Sequence, residues 1–496
     1  MNIIQNILNT LQTHHTKNAF CINDEYFTYE TFSNSISKIQ SALQKNTASN
    51  NKHIGLITNN DLETYAAIIA IWLEGKAYIP LNPDTPKSRN LEVIKQAHVQ
   101  TIIDSSTSSQ YIEYDIINPN KIVDTTAKPI LNNYNEANLA YIFFTSGTTG
   151  TPKGVQITQN NLNYFIDAFQ DLKYPITHTD KCLQMFDLTF DLSVVSFMAP
   201  LISGACIYTT SNSNIKYLEV LRLISNYDLT FTLMVPSILH SLRPFFKKIN
   251  NTSIRISMFC GEALHEDITK AWSSCVPNAL IANVYGPTEC TIYCTNYVYH
   301  TNSKSHNGIL SVGKEMLHTK TIIVDENNIP IHTNEPGELC LSGPQLTIGY
   351  LNNEAINNKA FFYLKENNKQ TRFYKTGDLC KKDAEGDILY LGRIDFQAKI
   401  QGFRVELSEI EYHIKKTIVD VNLVAVVFKN KINNSEIALA IESSEFDTKQ
   451  DIESLKTKLP SYMIPTKTMF FKTWPLNANG KTNRKEIIKL VEEKYG

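Results

Sequence analysis

Over the first three-quarters of the chain, short apolar runs alternate with helical patterns. HIGLIT (His53–Thr58), AYIPL (Ala77–Leu81), VQTIID (Val99–Asp104), LAYIFFTS (Leu139–Ser146) and ISMFCG (Ile256–Gly261) read as strands. Leu62–Leu73, between the first two, reads as a helix. This alternation predicts an α/β fold of layered sheets and helices with substantial parallel sheet. The C-terminal part reads differently. Val405–Thr417 predicts an amphipathic helix with Ser408 near its start, and Asp451–Leu459 predicts another. Val421–Phe428 and Glu436–Ile441 predict the strands of a hairpin. These elements make a small α+β unit, joined to the rest within LGRIDFQAKIQ (Leu391–Gln401). The expected division is a large domain over 1–394 and a small domain over 395–496.

Composition narrows the function classes. The 496 residues exceed one compact core, and 42% hydrophobic with 19% charged residues is ordinary for a globular protein. Lys and Arg number 47 against 49 Asp and Glu, a net charge of −2, which gives no basic excess for nucleic acid or an anionic membrane. The longest strongly apolar run, Tyr65–Leu73, falls short of the ~20 residues of a membrane helix. The N-terminus has no basic start and no small-residue cleavage site, so no secretory signal is expected. The nine cysteines are scattered without a CxxC pair or clustered histidines, as in a reduced, cytoplasmic protein.

FFTSGTTGTPKGV (Phe143–Val155) carries the most chemistry. A β-run gives way to Thr, Ser and Gly and then to a lysine, offering N–H groups, hydroxyls and a cation to a polyphosphate. It lacks the GxxxxGK[ST] spacing of a P-loop. The other candidate, Gly480–Lys481–Thr482, has Pro475 where that loop needs its first glycine.

At these residues the chain resembles the adenylate-forming superfamily of acyl-CoA synthetases, amino-acid adenylation domains of nonribosomal peptide synthetases, and luciferases. Matching motifs follow in order along nearly the whole chain: GKAYIPLNPDTP (Gly75–Pro86), FDLTFD (Phe186–Asp191), NVYGPTE (Asn283–Glu289), GELCLSG (Gly337–Gly343), YKTGDL (Tyr374–Leu379), GRIDFQAKIQGFRV (Gly392–Val405) and NANGK (Asn477–Lys481).

The resemblance implies two half-reactions. A carboxylate attacks the α-phosphorus of ATP with Mg²⁺ present, giving an acyl adenylate and pyrophosphate; a thiol then takes the acyl group. It further implies that Thr145, Ser146, Gly147, Thr148, Thr149, Gly150 and Lys153 embrace the phosphates. Asn283, Val284, Tyr285, Gly286 and Pro287 line the nucleotide or substrate pocket, Thr288 touches the α-phosphate and Glu289 holds Mg²⁺. Gly261 and Glu262 lie beside the adenine. Asp378 binds the ribose diol, and Tyr390, Gly392 and Arg393 pack near the adenosine. Lys481 bridges the carboxylate and the α-phosphate during adenylation. Asp395 is the hinge about which the small domain, a lid, rotates to bring the Gly402 loop (KIQGFRVE) to the site for thiol transfer.

Asp191 narrows the substrate. Amino-acid-activating relatives carry an aspartate at this position to pair with the substrate ammonium. Leu192, Val195, Leu233, Met258, Cys260, Val284, Ile292 and Tyr293 align with an apolar pocket for a small or medium apolar side chain, narrowed by Cys260. FCGE resembles D-alanine–carrier-protein ligases and is compatible with free-standing adenylation enzymes for other amino acids. No Gly-Gly-x-Ser carrier pattern precedes Gly496, so the expected partner is a separate carrier protein bearing phosphopantetheine. The alternative is a free-standing enzyme for another L-amino acid. An acyl-CoA ligase has no need of Asp191. An inactive nucleotide-binding protein has no reason to keep Lys481, Glu289 and the phosphate loop together.

Overall fold

The computed structural model describes residues 2–123, 127–147, 151–211, 215–366, 369–395, 397–419, 421–476 and 482–496. Two large sheets with helices between and around them form the body. One has nine strands in the order Lys314–Glu315, Thr295–Val298, Leu280–Tyr285, Ile256–Phe259, Phe231–Met234, Lys181–Gln184, Cys206–Thr209, Asn18–Ile22 and Glu25–Thr28. Its six inner strands, from Leu280–Tyr285 through Asn18–Ile22, run parallel. The other has seven strands, with Lys153–Thr158, Leu139–Thr145, Ala77–Leu81 and His53–Ile57 at its centre. An antiparallel sheet built on the long strand Lys369–Lys382 stands beside them.

The helix Leu62–Leu73 matches the sequence expectation to the residue. Asp61 caps it by accepting the Thr64 N–H at 2.8 Å. Leu62 and every residue from Thr64 to Leu73 are buried, as a helix apolar all round must be. The helix Leu192–Ser203 lies against it, with the Phe197 ring 5.8 Å from Tyr65 and 6.2 Å from Trp72. These two helices anchor the core and fix where Asp191, at the head of the second, must sit.

Residues 398–495 have hydrophobic cores of their own. A hairpin, Gln397–Ile400 with Phe403–Glu406, precedes a three-stranded sheet of Leu423–Lys429, Ser435–Glu442 and Lys467–Phe471 and the helices Leu407–Ile414, Lys449–Leu455 and Arg484–Tyr495. Two expectations are corrected here. Val405–Thr417 is not one helix: Phe403–Glu406 is a strand and the helix begins at Leu407, because Val405 and Glu406 are held in register with Ala398 and Gln397. The helix expected over Asp451–Leu459 spans Lys449–Leu455 and ends where Leu459 turns back into the core. Among the described residues no helix is long and apolar enough to cross a membrane.

Candidate active site

A cavity opens beyond the carboxyl ends of the parallel strands Phe231–Met234, Ile256–Phe259 and Leu280–Tyr285, the usual crevice of an open α/β sheet. The hairpin Gln397–Glu406 covers it from the small domain. Gln397, Ala398, Lys399, Gly402 and Arg404 all line it. Of the sequence-predicted residues, Asp191, Cys260, Gly261, Glu262, Asn283, Val284, Tyr285, Gly286, Pro287, Thr288, Ile292, Asp378, Tyr390 and Arg393 share its walls. Thr148, Thr149, Gly150 and Lys481 lie outside the described residues. Leu476 and Thr482, which flank the segment holding Lys481, are not on those walls.

Asp191 stands at the N-terminus of Leu192–Ser203 but makes no side-chain capping bond. Its carboxylate is buried beside Thr288, and among the described residues its Oδ2 has no hydrogen-bond partner. Burial, reinforced by the charge of Glu289, pushes the carboxyl up to about 7. An unpaired buried carboxylate oxygen facing a cavity is costly unless a ligand cation meets it. Leu192, Cys260, Val284 and Ile292 line the wall nearby. Val195, Leu233, Met258 and Tyr293, expected in the same lining, are buried behind it. The cavity starts past the strand ends, so Leu233 and Met258, inside their strands, reach only the core.

Asp378 is braced from two sides. Tyr285 Oη donates to its Oδ2 at 2.5 Å, and Arg393 Nη1 donates to its Oδ1 at 2.8 Å. Arg393 also donates to both oxygens of Asp395, the expected hinge, at 2.6 Å each. Gly392, at φ +140°, sits between Tyr390 and Arg393 on the same strand but does not itself line the cavity.

Glu289 is buried just behind Thr288. Arg404 Nη1 donates to its two oxygens at 2.9 and 2.8 Å, and Tyr350 Oη donates at 2.5 Å. Burial alone would raise this carboxyl; the Arg404 charge and the Tyr350 hydroxyl outweigh it and hold the group below the usual carboxylate range.

The segment with Thr145, Ser146, Gly147 and Lys153 joins two antiparallel strands in which Thr145 pairs with Lys153. Its polar groups face the small domain. Lys153 Nζ donates to Glu406 Oε1 at 3.1 Å, and the Gly147 N–H donates to Glu409 Oε2 at 3.1 Å. Ser146 Oγ donates to the Arg404 carbonyl at 2.8 Å and accepts the Glu406 N–H at 3.0 Å. Arg89 pairs with the other Glu409 oxygen at 2.5 Å.

Glu262 accepts the Ser237 N–H at 2.8 Å and the Gly402 N–H at 2.9 Å, so it joins the two domains across the cavity. Gly402 has φ +86°, and a Cβ there would lie 2.6 Å from Val235 Cγ1. Only glycine permits this approach. Arg404, Glu406 and Glu409 were not singled out from the sequence. Their place in the segment following Gly402 was the available signal.

The chain is similar to known proteins along its length. Residues 9–351, more than half of it, match the family model described as AMP-binding enzyme. A linear gramicidin synthase of Brevibacillus parabrevis is 30% identical over 484 residues; these cover 95% of this chain but 9% of that much longer protein. D-alanine–D-alanyl carrier protein ligase of Bacillus licheniformis is 27% identical over 99% of this chain and 100% of its own. The adenylation domain AlmE of Vibrio cholerae, solved with glycyl-adenosine-5'-phosphate, superposes with a TM-score of 0.87 at 24% identity, covering 99% of this chain and 97% of that one. The chain therefore belongs to the AMP-binding enzymes of the adenylate-forming superfamily.

Proposed function

We propose that this protein activates a small apolar amino acid as its aminoacyl adenylate and passes it to the phosphopantetheine thiol of a separate carrier protein. The observation that carries the reading is Asp191, a buried carboxylate whose Oδ2 has no hydrogen-bond partner among the described residues, in a cavity also lined by the apolar Leu192, Val284 and Ile292. An ammonium substrate supplies the missing partner. A fatty or aryl carboxylate would leave the aspartate unpaired. Lys399 lines the same cavity and acts on both Asp191 and Cys260, so a basic side chain there would meet a like charge, which disfavours basic amino acids.

In this reading the nucleotide lies across the strand ends. Asp378, braced by Tyr285 and Arg393, accepts the ribose hydroxyls. Asn283, Gly261 and Glu262 border the adenine, and Ser146, Gly147 and Lys153 hold phosphate oxygens. Thr288 orients the α-phosphate. Lys481 brings a cation to the reacting carboxylate. Among the described residues no three His, Cys, Asp or Glu side chains gather into a metal site. Mg²⁺ would therefore take Glu289 and the nucleotide's own oxygens, a usual mode for that ion. The fit is supported by Arg404, which already sets a positive charge against this carboxylate. When bound, the ion would neutralise charge growing on the phosphates.

D-alanine is the leading specific substrate, supported by similarity over full length to a protein named for that activity. A free-standing adenylation enzyme for another amino acid is the second reading, supported by similarity to a gramicidin synthase. ATP–pyrophosphate exchange across the amino acids and D-alanine tests the proposal. Exchange with one small apolar amino acid is expected; exchange only with fatty or aryl acids would refute it.

A further inference from the structure

Two tyrosines near Asp191 have no part in the nucleotide reading. Tyr78 and Tyr141 are direct partners on the parallel strands Ala77–Leu81 and Leu139–Thr145. Their side chains therefore leave the sheet on one face, with ring centroids 5.8 Å apart. Both are fully buried, and neither lines the cavity. Their ring neighbours are aromatic: Tyr78 packs against Trp72 and Phe143, and Tyr141 stacks on Phe143. The one N–H among those neighbouring rings, on Trp72, already donates to the Ala140 carbonyl. Among the described residues neither tyrosine hydroxyl has a hydrogen-bond partner.

A buried hydroxyl without a partner is costly, and a buried tyrosine ordinarily finds one. Asp191 Oδ2 shares their condition: it is buried and has no partner among the described residues. Burial pushes both hydroxyls far up, and the Asp191 charge acts on each in the same direction. Both therefore stay donors, and both lie within reach of that carboxylate's field. Two donors and one acceptor are the set that a buried water, with its three or so bonds, satisfies. Such a water accepts from both hydroxyls and donates to the carboxylate. A carboxylate oxygen has two acceptor positions, so Oδ2 can take this bond and still receive an ammonium from the cavity.

We infer that Tyr78 and Tyr141 are positioning residues for amino-acid recognition, holding a water against Asp191 that keeps its carboxylate charged and aimed at the substrate ammonium. The inference rests on the ammonium reading above and adds two residues to it. Other groups also act on Asp191. Burial and the Glu289 charge disfavour its ionised form, while Thr288 and the Lys399 ammonium of the small domain favour it. The Cys260 thiol, itself held neutral by burial, stands near as well. None of these lies on the sheet that carries the two tyrosines, so removing a tyrosine hydroxyl leaves them in place. What changes is the share of Asp191 that is ionised at a given pH.

Tyr78→Phe and Tyr141→Phe keep the rings and remove one donor each. The test is ATP–pyrophosphate exchange by the full chain with the amino acid that wild type exchanges best. In each variant the amino-acid KM should rise about threefold to tenfold at about pH 6, the scale of one ordinary hydrogen bond. It should approach the wild-type value by about pH 9, where the carboxyl is ionised in both. The KM for ATP and kcat should not move. Thermal unfolding gives a second reading that needs no substrate. Each substitution should lower the Tm at about pH 8 relative to its effect at about pH 4, and that difference should vanish in the Asp191→Asn background. If the hydroxyls serve nothing, each variant gains the same Tm at both pH values and in both backgrounds, and the KM does not change. That result overturns the inference and leaves the ammonium reading standing, as does a KM raised equally at every pH. If wild type exchanges with no amino acid, the ammonium reading falls and takes the inference with it.

Discussion

Tyr285 donates its hydroxyl to Asp378 Oδ2 at 2.5 Å, tying the end of a central parallel strand to the antiparallel sheet beside it. With Arg393 on the other oxygen, the carboxylate is fixed before any ligand arrives. Burial and the neighbouring Asp378 charge both push the Tyr285 hydroxyl far up, so it stays a donor at any working pH. Such preorganisation lowers the cost of binding. Asp378→Ala should raise the KM for ATP by about tenfold to a hundredfold, the scale of losing hydrogen bonds to a charged group. Tyr285→Phe, which removes only one brace, should cost less. Titration of ATP in the exchange assay measures both, and an unchanged KM for Asp378→Ala would remove this carboxylate from the nucleotide site.

Amino-acid binding should strengthen as pH rises to about 7 and then level off. The Asp191 carboxyl lies at about 7 in the free protein, chiefly through burial. Below that value it is neutral, and a bound ammonium must first expel its proton. The apparent Kd should then rise about tenfold for each pH unit further down. Calorimetry in buffers of different ionisation heat should register one proton released at low pH and none at high pH. A Kd flat across about pH 5 to 9 would show that the ammonium meets something else.

The same group makes a prediction about stability with the opposite sign from an ordinary surface aspartate. Its folded value of about 7 lies above its unperturbed 3.8. Between those limits the native state binds more protons than the unfolded chain, so stability falls as pH rises through the window. Asp191→Asn removes that dependence with little change of side-chain shape. Its Tm should exceed that of wild type at about pH 8 and nearly equal it at about pH 4, where both side chains are neutral. The variant should also fail to bind its amino acid. An equal Tm difference at both pH values would contradict the burial argument.

Local signals read well from the sequence where local chemistry decides. Leu62–Leu73 is apolar throughout and begins at a capping aspartate, and both features are visible in a window of a dozen residues. The strands ending at Phe259 and Tyr285 were legible as apolar runs or motif positions, so the cavity at their ends could be expected. The hairpin strand Phe403–Glu406 was not, because it runs without a break into Leu407–Ile414 and the apolar rhythm does not change at the joint. The pairs Arg404–Glu289, Glu406–Lys153 and Glu409–Gly147 span 115, 253 and 262 residues. No periodicity reports contacts of that range. Each charge read alone looks like a solvated side chain. Only when the hairpin is docked do they become a complementary set.

Cys260 follows the strand Ile256–Phe259 and lines the same cavity as Asp191, so in the proposed reading its thiol narrows the space for the substrate side chain. Burial pushes that thiol up to about 12, so it stays neutral and acts by its bulk. The strand Ile256–Phe259 just before it is in register with neighbours on both sides, so the backbone cannot shift to enlarge the space. Cys260→Ala should therefore favour substrates one or two carbons longer than the preferred amino acid. A methylene-sized difference in an apolar pocket is worth about 1–3 kcal/mol, or tenfold to two-hundredfold in specificity, and the lower part of that range is expected for removing one sulfur. The preferred substrate should lose little kcat, because no reacting group is touched. The measurement is kcat/KM for exchange with alanine, 2-aminobutyrate and valine in wild type and variant. An unchanged ratio would place the side-chain pocket away from Cys260, and a uniform loss for all three would mark the thiol as a support for the strand end.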